Sequence, residues 1–159
     1  MPNLPRSNWP ARRIVFGALL AGLIVGGTPG IAHAVVVFSS YSTHTTSGIP
    51  YKARAGVNSG VGVYAVGQVA KNASGTVPAG YMGAGAYLYL LDQATLQFNM
   101  CKSAPITFTS SASSLWNRFT SGSCGSGTYR ASALIGTYNS STGLVEYRST
   151  LNSPPQSGS

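Results

Sequence analysis

The fold class can be read from VPAGYMGAGAYLYLLDQATLQFNMC, residues 77–101. Tyrosine alternates with leucine over 87–90, and apolar residues alternate with polar ones over 96–100. Alternation with a period of two is typical of β-strands, and the short polar break between these runs is typical of a turn. Asp92 favours that turn, because its carboxylate can accept hydrogen bonds from backbone N–H groups two residues further on. The stretch therefore predicts a β-hairpin that ends in Cys101.

The rest of the chain beyond the N-terminal segment also favours strands. It is rich in Val, Tyr, Thr and Gly and poor in Glu, Lys and Leu, the usual helix formers. Further strands are predicted at 35–40, 51–55, 60–70, 105–109, 128–138 and 144–150. About eight short strands predict an all-β domain, a small antiparallel β-sandwich or barrel. The domain is predicted to cover 35–150, with a polar loop at 41–50, close packing or a bulge at the glycines of 60–70, and a flexible tail at 151–159.

The first 34 residues have the three parts of a secretory signal peptide. A positively charged head precedes an apolar run at 14–27, and a small-x-small motif ends at Ala34. We predict cleavage between Ala34 and Val35, which would leave no stable transmembrane segment in a secreted, extracellular protein. A permanent anchor is the alternative, although an apolar run of this length spans roughly 21 Å, less than a bilayer core of about 30 Å.

Cys101 and Cys124 are the two cysteines of the chain. In a secreted protein such a pair is expected to form a disulfide. The bond would close a loop of 24 residues. Closing such a loop stabilises a fold by roughly 3 kcal/mol on the chain-entropy model. A redox pair would need a closer motif such as Cys-x-x-Cys, so the predicted role is structural.

Residues for catalysis or metal binding are few. Beyond the predicted signal peptide, the acidic residues are Asp92 and Glu146, and the histidine is His44. Catalysis by two carboxylates needs them close together, whereas these two lie in or near different predicted hairpins. Zinc needs three or four ligands, and the glycine-rich segment 122–127 fits neither phosphate-loop spacing. We therefore expect no enzymatic activity, no cofactor and no metal.

The predicted mature chain carries seven Lys and Arg against two acidic residues, a net charge of +5. All nine tyrosines lie in it, and several are adjacent to a cation. Aromatic faces can stack on sugar rings, while Lys and Arg pair with phosphate or carboxylate, although each tyrosine could instead fill the core. The expected partner is a cell-wall polysaccharide or teichoic-type polyanion rather than nucleic acid. Candidate contacts are Tyr51, Lys52, Arg54, Tyr129 and Arg130.

Four segments carry a resemblance: VPAGYMGAGAYLY at 77–89, Cys101, CGSGTYRASAL at 124–134, and Tyr138-Asn139. Together they resemble a group of small, uncharacterised secreted proteins of actinobacteria. The resemblance implies export and a cysteine pair, and it implies no chemistry. A more distant similarity is to lactococcin-like bacteriocins, and it carries no residues over.

The expected function is a non-catalytic domain that binds or associates with the bacterial cell wall. The alternative is a bacteriocin-like antagonist that acts on membranes or envelopes. Membrane-spanning strands need a continuous apolar outer band of about nine to eleven residues. Only 60–70 and 81–91 reach that length, and glycines interrupt both. The pattern favours the water-soluble binder.

Overall fold

A computed structural model describes residues 35–60 and 62–159. The predicted signal peptide and the Ala34 side of its cleavage site lie outside the described residues. The described chain is all-β, as predicted, and forms two five-stranded antiparallel sheets. Among these residues there is no helix long and apolar enough to cross a membrane.

Ten strands form the two sheets, here named sheet A and sheet B. Sheet A contains β1 Val36–Phe38, β2 Ser42–Thr46, β3 Ile49–Asn58, β4 Tyr64–Lys71 and β7 Leu115–Phe119. Sheet B contains β5 Met82–Asp92, β6 Gln97–Phe108, β8 Gly127–Asn139, β9 Leu144–Ser149 and β10 Gln156–Gly158. In sheet A, β1 and β2 share one edge of β3, which is followed by β4 and β7. In sheet B, β9 and β10 share one edge of β8, which is followed by β5 and β6.

The hairpin predicted at 77–101 is confirmed as β5 and β6, but it does not end at Cys101, since β6 continues to Phe108. The Asp92 carboxylate accepts a hydrogen bond from the Ala94 N–H at 2.9 Å, as its role in the turn requires. Leu88 is fully buried, whereas Tyr87 on the neighbouring position of β5 is half-buried on the other face. The predicted alternation therefore separates a core face from an outer face.

Small side chains fill much of the space between the sheets. The buried alanines of this core are Ala53, Ala55, Ala65, Ala84, Ala86, Ala104, Ala131 and Ala133. The sheets approach closely beside Gly67 on β4, where an added Cβ would meet the Gly85 carbonyl oxygen and lie 2.8 Å from the Ala133 Cβ. The close packing predicted at the glycines of 60–70 is confirmed at Gly67, and the two sheets form a sandwich-like arrangement.

The predicted polar loop at 41–50 is wrong, because most of it is the hairpin of β2 and β3. Ser47 and Gly48 form its turn with φ values of 47° and 75°. Positive φ at both central residues matches the right-handed twist of adjacent strands. The serine and threonine residues of β2 show no alternation of apolar with polar side chains, so the sequence did not predict a strand. Threonine is β-branched, however, and suits a strand whose alternate side chains face water.

A short strand lies within 151–159, where a flexible tail was predicted. β10 pairs with β8, so Gln156–Gly158 extend sheet B. Ser153 fixes the approach to β10, because its N–H donates to the Ala131 carbonyl at 2.8 Å and its hydroxyl accepts from the Ala131 N–H at 2.8 Å. The strands number ten rather than about eight, because β2, β7 and β10 were not predicted and the strand predicted at 105–109 is part of β6.

Candidate cationic site

A depression of about 640 Å³ lies on the outer face of sheet A. Lys52 and Arg54 enter it from β3, because alternate residues of a strand point to opposite faces. The intervening Ala53 belongs to the core. Lys71, at the end of β4, adds a third cation to the lining. We call Lys52, Arg54, Lys71 and the side chains that hold Arg54 the cationic face.

Two aromatic rings lie against the Arg54 guanidinium. Its central carbon is 3.7 Å from the centroid of the Phe38 ring and 4.5 Å from that of Tyr41. Gly56 makes room for this packing, since a Cβ there would lie 2.7 Å from a Phe38 ring atom. Each cation–π contact contributes roughly 0.5–1 kcal/mol at an exposed site. The rings thus hold the guanidinium without neutralising its charge.

A row of amides fixes the same arginine from the side. Its Nε donates a hydrogen bond to Gln68 Oε1 at 2.7 Å, and the Tyr41 hydroxyl donates to the same oxygen at 3.3 Å. The Gln68 amide nitrogen donates in turn to Asn117 Oδ1 at 3.0 Å. Arg54, Gln68 and Asn117 are register partners on β3, β4 and β7. Within the described residues, the terminal Nη groups make no hydrogen bond, so they remain available to an acceptor.

No carboxylate lines the depression. The chain has two acidic side chains, Asp92 and Glu146, and both belong to sheet B. Glu146 forms an ion pair with Arg148, with a nitrogen–oxygen distance of 3.4 Å. Lys52 lies instead with its ammonium 5.2 Å from the Tyr41 ring centroid. Unpaired charges of one sign in a concave surface produce a positive potential that attracts anions.

Tyr51 was predicted to contact a ligand, and this prediction is wrong because its side chain is fully buried. Its ring stacks on His44 with 5.5 Å between centroids, and its hydroxyl donates to the Tyr81 carbonyl at 3.5 Å. Burial, with a smaller contribution from Tyr81, raises the pKa of Tyr51. This tyrosine is a core residue between the sheets.

Tyr129 is fully buried too, so the prediction that it contacts a ligand is likewise wrong. Its hydroxyl accepts a hydrogen bond from the Cys124 N–H at 3.0 Å and donates to the Gly125 carbonyl. The predicted disulfide between Cys101 and Cys124 is confirmed, with Cα atoms 6.3 Å apart. Tyr129 therefore supports the loop that the disulfide ties to β6.

Arg130 belongs to β8 and lies on the outer face of sheet B. The five predicted contact residues consequently do not form one site. Lys52 and Arg54 are together on sheet A, Arg130 is on the opposite face of the fold, and both tyrosines are in the core. The sequence prediction missed Phe38, Tyr41, Gln68, Lys71 and Asn117. Most of these come from strands whose pairing with β3 is needed to place them.

A polar cluster joins the β2–β3 hairpin to the β8–β9 hairpin. The Thr46 and Thr137 hydroxyl oxygens are 2.9 Å apart, and Thr46 donates to Glu146 at 3.3 Å. His44 Nε2 is 3.4 Å from the Thr137 hydroxyl. Burial lowers the pKa of His44, and Arg148 adds to this effect while Glu146 opposes it. Thr46 and Thr137 are almost fully buried, so their hydroxyls connect the sheets and are closed to a substrate.

The cationic face can hold an anion in two ways. A guanidinium forms paired hydrogen bonds with phosphate or carboxylate, while an ammonium acts as a point charge. Among residues 35–60 and 62–159, no group of three His, Cys, Asp or Glu side chains could hold a metal ion. No protein-family model, curated protein sequence or solved structure matches the chain.

Proposed function

We propose that this protein is a secreted, non-catalytic domain that binds an anionic polymer of the bacterial cell wall through the cationic face. One observation carries the proposal: Lys52, Arg54 and Lys71 line a single open depression that contains no carboxylate. Export is supported by the N-terminal sequence and by the disulfide, which is typical of oxidising compartments.

The arrangement of Arg54 suits the recognition of an anion. Its Nε donates to Gln68 and its central carbon lies 3.7 Å and 4.5 Å from the ring centroids of Phe38 and Tyr41, so the guanidinium is held in place before a ligand arrives. Pre-organisation reduces the entropy lost on binding. The free Nη groups would donate to one phosphate or carboxylate, and Lys52 and Lys71 would attract neighbouring charges of the same chain.

A polymer suits these cations better than a single small anion. Each exposed ion pair contributes only about 0–1 kcal/mol and is screened by salt. A repeating polyanion can place several charges in the depression at once and can rebind at the next repeat, which multiplies the apparent affinity. Net charge adds long-range attraction, because +5 is carried with few acids to offset it.

The test is retention of the secreted protein on purified cell wall, with and without its anionic polymers, across a salt series. We expect retention to require the polymers and to weaken above physiological salt, where the Debye length falls below about 8 Å. Retention that does not change with salt concentration, or the absence of retention at low salt, would contradict the proposal. Lysis of neighbouring bacteria by the soluble protein would favour the bacteriocin-like alternative.

Single substitutions locate the site. Arg54→Gln removes one charge from the cationic face, and Lys102→Gln removes one exposed charge from β6. Arg54→Gln should weaken binding about tenfold or more, because hydrogen bonds to charged groups contribute roughly 1.5–3 kcal/mol. The Lys102 control should change binding less than about twofold, as expected for a distant exposed charge. Equal losses in both variants would mean that only the net charge matters.

A further inference from the structure

The outer face of sheet B carries a second arginine held by aromatic rings. The guanidinium carbon of Arg130 lies 4.3 Å from the Phe98 ring centroid and 5.7 Å from that of Tyr89. Its Nε is buried and makes no hydrogen bond, and within the described residues its other nitrogens have no acceptor either. Both acidic side chains make their hydrogen bonds elsewhere. Like Arg54, Arg130 keeps an unneutralised charge beside aromatic rings.

The surroundings of Arg130 differ from the cationic face. A depression of about 270 Å³ is lined by Tyr87, Tyr89, Met100, Ser132, Ala133, Leu134 and Ser149. Arg130 does not line it, but its guanidinium carbon lies 5.7 Å from the ring centroid of Tyr89, which does. The two tyrosines are alternate residues of β5, so they share the outer face and are spaced by roughly 7 Å. Ser132 donates to the Tyr89 hydroxyl at 3.2 Å, which fixes that ring. This surface therefore combines aromatic side chains with one cation, whereas the cationic face has three cations.

We infer that this surface is a second binding site, for an acidic sugar unit. Arg130 would donate hydrogen bonds to the carboxylate or phosphate of that unit, and Tyr87 with Tyr89 would stack on its ring. Met100 is 58% exposed, and it completes the apolar edge of the platform. The ligand class rests on the proposed function, whereas the location is independent of it.

The two sites face away from each other. The residues that flank Arg54 on β3, Ala53 and Ala55, point into the core, as do the flanking Tyr129 and Ala131 on β8. The whole core lies between the two guanidinium groups, so a short ligand cannot reach both. A long acidic polysaccharide bound on one face leaves the other face free for a second polysaccharide chain. The protein would therefore crosslink such polymers.

The first experiment counts sites with a short probe, a galacturonic acid trimer, by titration calorimetry and native mass spectrometry. We expect two sites on the intact protein, one on Arg130→Gln, one on Arg54→Gln, and two on the Lys102→Gln control. Tyr87→Ser should weaken the same site as Arg130→Gln, and a thermal melt of each variant confirms that it is folded. Short polyphosphate, which has the charge without sugar rings, should occupy only the cationic face.

The outcomes separate the two ideas. A single site that is lost in Arg54→Gln overturns the second site and leaves the proposed function intact. A single site that is lost only in Arg130→Gln keeps the second site and refutes the cationic face. Two sites that persist in Arg130→Gln also overturn the inference, and no binding at all overturns both ideas.

The second experiment measures crosslinking with long polygalacturonate. The intact protein should make the solution turbid at intermediate ratios of protein to polymer. The solution should clear again when protein is in excess, because each polymer chain is then saturated with its own protein molecules. Arg130→Gln should still bind the polymer, with no turbidity. Turbidity equal to that of the intact protein would overturn the crosslinking role.

Discussion

Gly67→Ala should destabilise the fold, because the two sheets have no room for a methyl group at this position. The new Cβ would meet the Gly85 carbonyl oxygen and would lie 2.8 Å from the Ala133 Cβ. These neighbours are a backbone atom and a short side chain, so no flexible group can move aside. Overpacking of this kind costs typically 1–3 kcal/mol, while replacing glycine by alanine gains about 0.4–1 kcal/mol by restricting the unfolded chain. The difference of these two ranges is roughly 0–2.6 kcal/mol, and because the neighbours cannot move we expect a net loss of about 1–2 kcal/mol within it.

The assay is urea unfolding of the oxidised protein followed by Trp fluorescence, with a thermal melt alongside. A loss of this size should lower Tm by roughly 4–8 °C in a domain of this length. Gly85→Ala is the graded comparison, since its Cβ would meet the Ala104 carbonyl oxygen at 3.1 Å, and it should cost less. Unchanged or increased stability in Gly67→Ala would refute the close approach of the sheets.

Three further predictions concern the disulfide, the half-buried histidine and the disulfide loop. Replacing Cys101 and Cys124 together by serine should cost roughly 2–5 kcal/mol in urea unfolding, and no loss would refute the stabilising role. The pKa of His44 is lowered in the fold. The unfolded chain therefore binds a proton first, and the free energy of unfolding should fall as pH drops below about 6.5. His44→Gln should flatten that part of the pH profile, and an unchanged slope would contradict the assignment. Tyr129→Phe should cost roughly 1–3 kcal/mol by leaving the Cys124 N–H unsatisfied, while the exposed control Tyr147→Phe stays within about 0.5 kcal/mol; equal effects would contradict this role.

The elements that sequence alone predicts are those with an apolar period. The hairpin of β5 and β6 alternates apolar with other side chains, and a two-cysteine chain allows one intramolecular pairing. β2 could not be predicted because its one serine, three threonines and one histidine show no alternation of apolar with polar side chains. β10 could not be predicted because its three residues follow two prolines and have no apolar pattern of their own. They form a strand only by pairing with β8.

The candidate site could be predicted only in part. Tyr51 and Lys52 are adjacent on β3, and adjacent residues of a strand point to opposite faces. They could not have contacted one ligand, whereas Lys52 and Arg54 are two positions apart and share a face. The alternation of side chains along β3 could therefore have been predicted from the sequence. The contacts of Phe38 and Gln68 with Arg54 could not, because they depend on the register of β1 and β4 with β3.

The scarcity of acids leaves both arginines without a carboxylate partner among the described residues. A carboxylate partner would fix the geometry of an arginine and would also cancel its charge. Arg54 and Arg130 are held instead by aromatic rings, and Arg54 also by a neutral amide. Rings and amides restrain the guanidinium while its positive charge remains available. Introducing an acid at Gln68 would therefore keep Arg54 in place but neutralise it, and a Gln68→Glu protein that is folded yet no longer retained by the anionic wall would separate charge from position.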